Sequence, residues 1–206
     1  MNRIQVVLVG DSDIARWPQN FWPCIETSAV SHLGQNGAIL KQIVPYVDAA
    51  LDSVEGSPAS KIFIVFCCGE NDVAQGVDKA VSRELFASIL NKIMDRRPDI
   101  HVIALGPKVE PWMENDKDAR LAYCKLSKKF QWECKHHRLF QQITYIDCLT
   151  MFCIENEDGE PLQGEDAIPD DVYFANDNLH LSENGYVMWK EVIEENIQKV
   201  LSQTRR

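Results

Sequence analysis

Four short apolar runs, Ile4 to Val9, Ile62 to Cys67, Ile100 to Leu105 and Ile143 to Ile146, are nearly continuous and rich in β-branched residues. A strand with one wet face alternates polar and apolar residues, so runs of this kind predict strands buried on both faces, as in a parallel sheet covered by helices. A further strand is predicted from Thr27 to His32. Helical periodicity follows at Ala38 to Leu51, Asp78 to Arg96, Lys117 to His137 and Ser182 to Ser202. In the last of these, Ser182 is a credible N-cap, and Val187, Val192, Ile193, Ile197, Val200 and Leu201 form an apolar stripe. The expected architecture is a three-layer α/β/α sandwich on a five-stranded, mainly parallel sheet. At 206 residues the chain is expected to form a single domain, 1–206.

Composition narrows the function classes. With 45% hydrophobic and 25% charged residues, the chain reads as an ordinary globular protein. No stretch reaches the roughly 18 apolar residues of a membrane helix, and the N-terminal run reads as a first strand rather than a secretory signal, so a cytoplasmic location is expected. Seven cysteines without regular spacing suggest free thiols, with Cys67 and Cys68 as core residues. Cys124, Cys134, His136 and His137 lack the paired spacing of a zinc site. Of the 31 acids, eight lie between Glu155 and Asp171 with no lysine or arginine among them, leaving 23 acids against 21 basic residues elsewhere. Nucleic acid and anionic membranes are therefore poor partners. The acidic stretch, within a long irregular piece at about 150–176, reads as a solvated, mobile loop.

Ligands of open α/β sheets bind beyond the carboxyl ends of the strands. Reactive residue types do follow the strands here. Gly10-Asp11-Ser12 ends the first run, Gly34-Gln35-Asn36-Gly37 follows the second, and Gly69-Glu70-Asn71-Asp72 follows the third. Asp177-Asn178-Leu179-His180 precedes the last helix. A serine hydroxyl needs a base and oxyanion donors to act as a nucleophile. His180 is the one histidine of five with an acid three residues before it and a serine two residues after it; Asp177 can accept from Nδ1 and leave Nε2 free for a serine proton. Asn71 offers an uncharged side-chain donor, and a glycine offers a backbone amide with no Cβ in the way. Taken singly, each segment is equally well explained as a turn or a cap.

Together, in this order, the four blocks resemble those of the SGNH hydrolases, also called GDSL esterases and lipases, over nearly the whole chain. That resemblance implies a flavodoxin-like sandwich with Ser12 as nucleophile, His180 as base, Asp177 as its orienting acid, and Gly37, Asn71 and the Ser12 amide as oxyanion donors. It further implies hydrolysis of a small-molecule carboxylic ester through an acyl-enzyme, without a cofactor. Gly34 is the alternative glycine; Gly37 is preferred because it immediately precedes the helix expected from Ala38. The family is named for a leucine after the serine, where this chain has Asp13.

Two rival readings differ in class. Asp11-Ser12-Asp13 also resembles the DxD start of haloacid-dehalogenase-like phosphatases, which implies Asp11 as nucleophile, Lys108 on the phosphate and magnesium held by Asp170 and Asp171. That scheme leaves Gly10 and the 69–72 and 177–180 blocks unexplained. A non-catalytic binding module on the same fold is the other, and no nucleotide-binding glycine string occurs. Trp17, Trp22, Trp112, Tyr173 and Phe174 are the aromatic candidates for a pocket wall.

Overall fold

A computed structural model describes residues 4–21, 27–161 and 166–203. The strands are β1 (Ile4–Gly10), β2 (Thr27–Gly34), β3 (Lys61–Cys67), β4 (His101–Leu105) and β5 (Ile143–Ile146). All adjacent pairs are parallel, in the order β2-β1-β3-β4-β5. The helices are α1 (Ser12–Ala15), α2 (Leu40–Val54), α3 (Glu70–Ala74), α4 (Lys79–Arg96), α5 (Lys117–His136) and α6 (Glu183–Gln203).

The pleat divides each buried run between two cores. Val7, Val9, Ile64, Phe66, Val102 and Ala104 face α2, α4 and α5. Their neighbours Val6, Leu8, Phe63, Val65, Ile103 and Leu105 face α6 and the loops beside it. Cys67 falls on one side and Cys68 on the other, both buried, as expected of core thiols.

Of the expected α6 stripe, Ile193 and Ile197 are buried and Val192, Val200 and Leu201 pack half-buried on the same core; Val187 is exposed, and Tyr186 and Trp189 complete the buried line. Tyr186 meets Trp17 edge-on and Trp189 meets Phe152, in the core that holds Val6, Leu8, Phe63 and Val65. Ser182 does cap the helix, its hydroxyl accepting from the Gly185 amide at 3.4 Å.

The expected mobile loop at about 150–176 is pinned at its base. The Ile154 amide donates to the Ile168 carbonyl at 2.8 Å and the Asp170 amide to Phe152 at 2.8 Å. Cys153 and Ala167 join Val109, Met113 and Tyr123 in a small apolar cluster. The acidic stretch masks that cluster in the sequence, because its members lie far apart in the chain. The acids that are described remain on the outside, except Asp170, which is half-buried and caps the turn at Val172.

Candidate active site

The order 2-1-3-4-5 makes the crevice between β1 and β3 the point where the chain switches direction, and a ligand is expected there. Both chemical blocks leave the sheet at that point. After β1 the chain turns at once into α1, with the Asp11 carboxylate accepting from the Asp13 amide at 3.3 Å as N-cap. Ser12 thus heads a helical turn, largely covered. After β3, Gly69 adopts φ +132°, a conformation closed to side chains, and a Cβ there would strike the Phe130 ring. That glycine starts α3 and presents Asn71.

The Asn71 side-chain amide donates to the Ala38 carbonyl at 3.0 Å and makes a long contact to Asp11 Oδ2 at 3.5 Å. One N–H is therefore spent on orienting the group and the second is only weakly engaged. Asp72 is also committed, accepting from the Leu40 amide and the Ser82 hydroxyl. It joins the α2 and α4 starts to this turn.

The Asp177 turn is closed by the carboxylate itself. Asp177 Oδ1 accepts from the Leu179 and His180 amides, and Oδ2 meets His180 Nδ1 at 2.7 Å. Asn178 takes the left-handed conformation, φ 58°, that this tight turn requires. Burial works to raise the Asp177 carboxyl, but the His180 amide, the His180 ring and the Leu179 amide outweigh it and hold the acid well below the usual carboxylate range. Arg16, at the end of α1, adds an ion pair to Asp177 Oδ2 at 3.2 Å.

A cavity of about 430 Å³ brings Ser12, Asn71 and Asp177 together, with Glu70, Glu110 and Trp112 in its wall. Of the described aromatic candidates only Trp112 lines it. Trp17 is buried edge-on against Tyr186, Tyr173 and Phe174 pack on Phe152, and Trp22 lies outside the described residues.

The glycine loop departs from expectation. α2 begins at Leu40, not Ala38, so the Gly37 amide is not at its N-terminus. Asn36 and Gly37 form a turn, with the Ala38 amide donating to the Gln35 carbonyl. Gly37 is exposed, and its carbonyl accepts from Gln75. Gly34 instead ends β2 opposite Gly10 and lies so close to α1 that a Cβ would approach the Ala15 nitrogen to 2.2 Å.

Sequence reasoning missed a buried ionic cluster. The Lys108 ammonium contacts Asp13 Oδ2 at 2.7 Å, Glu70 Oε2 at 3.0 Å and Glu110 Oε1 at 3.0 Å. Burial opposes the charge on Lys108, but Asp13, Glu70 and Glu110 outweigh it and raise its pKa. Burial also lifts Asp11 to about 8, with the Asp13 charge adding to the effect. Three carboxylates thus meet one ammonium, and burial raises Glu70 and Glu110 as well. Oxygens of Asp11, Asp13 and Glu70 approach one another as cation ligands would, and the cation bound to two of these side chains is Lys108. The legible signal was a lysine between the apolar strand β4 and Glu110, since charges in such a stretch are paired when buried.

This geometry removes the basis of the phosphatase reading. Lys108 is wholly enclosed and saturated by carboxylates rather than free for phosphate, and Asp170 caps a turn at Val172. The cysteine and histidine set is likewise dispersed: Cys134 lies in the core, His136 bonds the Trp132 carbonyl and His137 bonds Asn91. No helix among the described residues is long and apolar enough to cross a membrane.

Comparison with solved structures gives the whole-chain match. A lipase/acylhydrolase from Enterococcus faecalis superposes with a TM-score of 0.64 at 18% identity, covering 95% of this chain and 95% of that one. The fold is that of the SGNH hydrolases. A member of the lipolytic G-D-S-L family from Veillonella parvula has a TM-score of 0.61 at 19% identity, over 92% of this chain and 96% of that one. An acetyl esterase, solved as a mutant with acetate ion, has a TM-score of 0.66 at 15% identity, over 98% of this chain and 99% of that one. No family model and no curated protein matches the sequence. Asp13, where the resemblance implied a leucine, is buried in contact with Lys108.

Proposed function

We propose that the protein is a serine esterase that hydrolyses carboxylic esters of small or short-chain acyl groups. The observation that carries this reading is the 2.7 Å contact between His180 Nδ1 and Asp177 Oδ2, beside a cavity that opens on Ser12 and Asn71. A carboxylate on Nδ1 holds the imidazole in the tautomer whose Nε2 accepts a proton. Ser12 Oγ attacks the ester carbonyl while His180 takes its proton, and the imidazolium then returns that proton to the leaving alcohol. Water, activated by the same histidine, attacks the acyl-enzyme and releases the acid.

The negative charge that develops on the carbonyl oxygen meets the second Asn71 N–H and the Ser12 amide, one of the amides that a helix start leaves outside its own ladder. A glycine amide, from Gly37 or from Gly34 at the end of β2, completes the set.

The test is a chain-length series of p-nitrophenyl esters with wild type and Ser12→Ala, together with mass spectrometry after fluorophosphonate treatment. An adduct on Ser12, fastest turnover on acetyl to butyryl esters and an inactive variant are expected. A fully active Ser12→Ala protein, or an adduct elsewhere, overturns the reading.

A further inference from the structure

The three carboxylates on Lys108 leave the sheet in three different places. Asp13 follows Ser12 in α1, Glu70 precedes Asn71 in α3, and Glu110 stands two residues before Trp112 on the chain leaving β4. The Lys108 amide also donates to Glu70 Oε1 at 2.8 Å, so the lysine grips that residue through both main chain and side chain. Glu110 Oε2 in turn accepts from Trp112 Nε1 at 2.6 Å and from the Tyr123 hydroxyl at 3.4 Å. The ammonium is thus the common point of the nucleophile turn, the amide-donor turn and the cavity wall.

Those turns need such a tie. α1 has four residues and α3 has five, and helices that short do not hold themselves. A buried ionic cluster is at best an even trade against apolar packing of the same volume, so stability alone does not account for it. What it supplies is a fixed distance between groups from separate strands.

We propose that Lys108 is a positioning residue for catalysis: through Asp13 and Glu70 it sets the spacing of the Ser12 hydroxyl and the Asn71 amide, and through Glu110 it sets the Trp112 wall of the cavity. The proposal rests on the reading of Ser12 and Asn71 given above. Its distinguishing consequence is that the three arms act on different steps. The first two govern how well the reacting atoms are aligned, whereas the third governs how substrate is held.

The experiment measures kcat and KM on p-nitrophenyl acetate for Asp13→Ala, Glu70→Ala and Glu110→Ala, with active serines counted by fluorophosphonate labelling and folding checked by a cooperative thermal melt. Asp13→Ala and Glu70→Ala should lower kcat per labelled serine about tenfold or more with KM within about twofold, because small misplacements of reacting groups cost one to two orders of magnitude. Glu110→Ala should raise KM about threefold or more with kcat within about twofold. Asp13→Asn and Glu70→Gln, which keep an oxygen for the ammonium, should recover most of the lost kcat. Unchanged kcat per labelled serine in the first two alanine variants overturns the proposal. So does an equal fall in all three that simply tracks their melting temperatures. These single-arm variants each leave two ion pairs in place, so the test stands even if Lys108→Met does not fold. Absence of label on Ser12 in the wild type overturns the esterase reading instead.

Discussion

Arg16 and Asp177, 161 residues apart in sequence, are joined by an ion pair of 3.2 Å that links the end of α1 to the turn bearing His180. The Tyr186 hydroxyl adds a second link, donating to the Asp13 carbonyl at 2.9 Å. Between them they bring the Ser12 helix against the last helix of the fold. The pair is half exposed, so its energetic weight is small even though its geometric role is not. Arg16→Gln should therefore change the unfolding free energy by less than about 1 kcal/mol. It should lower kcat only a few-fold, since two amides still orient Asp177. Urea unfolding and steady-state kinetics on the same preparation check both.

Asp177→Asn should be far more damaging than loss of its arginine partner. It replaces an acceptor by a group that also donates, and so favours the wrong imidazole tautomer. A fall in kcat on the order of 10³-fold or more is expected, with cooperative unfolding retained. A variant within tenfold of wild type would remove Asp177 from the base assembly.

Asn71→Ala should keep the fold, because the side chain makes one good hydrogen bond, to Ala38, whose loss costs about 1 kcal/mol. Loss of an oxyanion donor should reduce kcat about 100-fold to 1,000-fold. Near-wild-type turnover would show that the oxyanion is stabilised elsewhere.

Gly34, at the end of β2, and Gly37, in the turn after it, should respond to different degrees. Gly34→Ala forces a Cβ into the Ala15 backbone and displaces α1, at a cost of about 1–3 kcal/mol and most of the activity. Gly37→Ala meets open space and incurs only the strain of its left-handed backbone, about 1 kcal/mol. Melting temperatures and kcat for the pair, compared side by side, decide the matter.

Acidity around Ser12 should make stability fall with rising pH. Burial, reinforced by Asp13, moves the Asp11 carboxyl from 3.8 in the unfolded chain to about 8 in the folded one. Between those values the folded state holds a proton that the unfolded state has lost. This contribution is therefore fully present below about pH 4, declines as pH rises and is gone above about pH 8. Glu70 and Glu110, raised by burial, act in the same direction. Urea midpoints at pH 5, 6, 7 and 8 should decrease more steeply for wild type than for Asp11→Asn. Equal slopes would place the proton elsewhere.

Strands and long helices are legible in this chain because their signals are local. A run such as Ile62 to Cys67 is apolar on both pleat faces whatever its neighbours are, and the patterns from Asp78 and Lys117 need only their own periodicity to be read. The same holds for the 177–180 turn, where the aspartate and histidine lie within one turn of each other. β2 extends two residues past its expected end, since pairing of Gly34 with Gly10 is a property of two strands rather than one.

What the linear pattern left undecided all depends on contacts between distant residues. The start of α2 lies at Leu40 rather than Ala38 because Asp72, 32 residues away, accepts from the Leu40 amide. Trp112 is the one aromatic of the cavity wall among the described candidates because Glu110 holds its indole there. Above all, no local rule could say that Asp13, Glu70 and Glu110 share one ammonium, because a buried charge is tolerated only where the fold delivers its partners to the same point. Residue types and their order belong to the sequence; the alignment of Ser12, Asn71 and the acids beside them is a consequence of three strands ending at the same edge of one sheet.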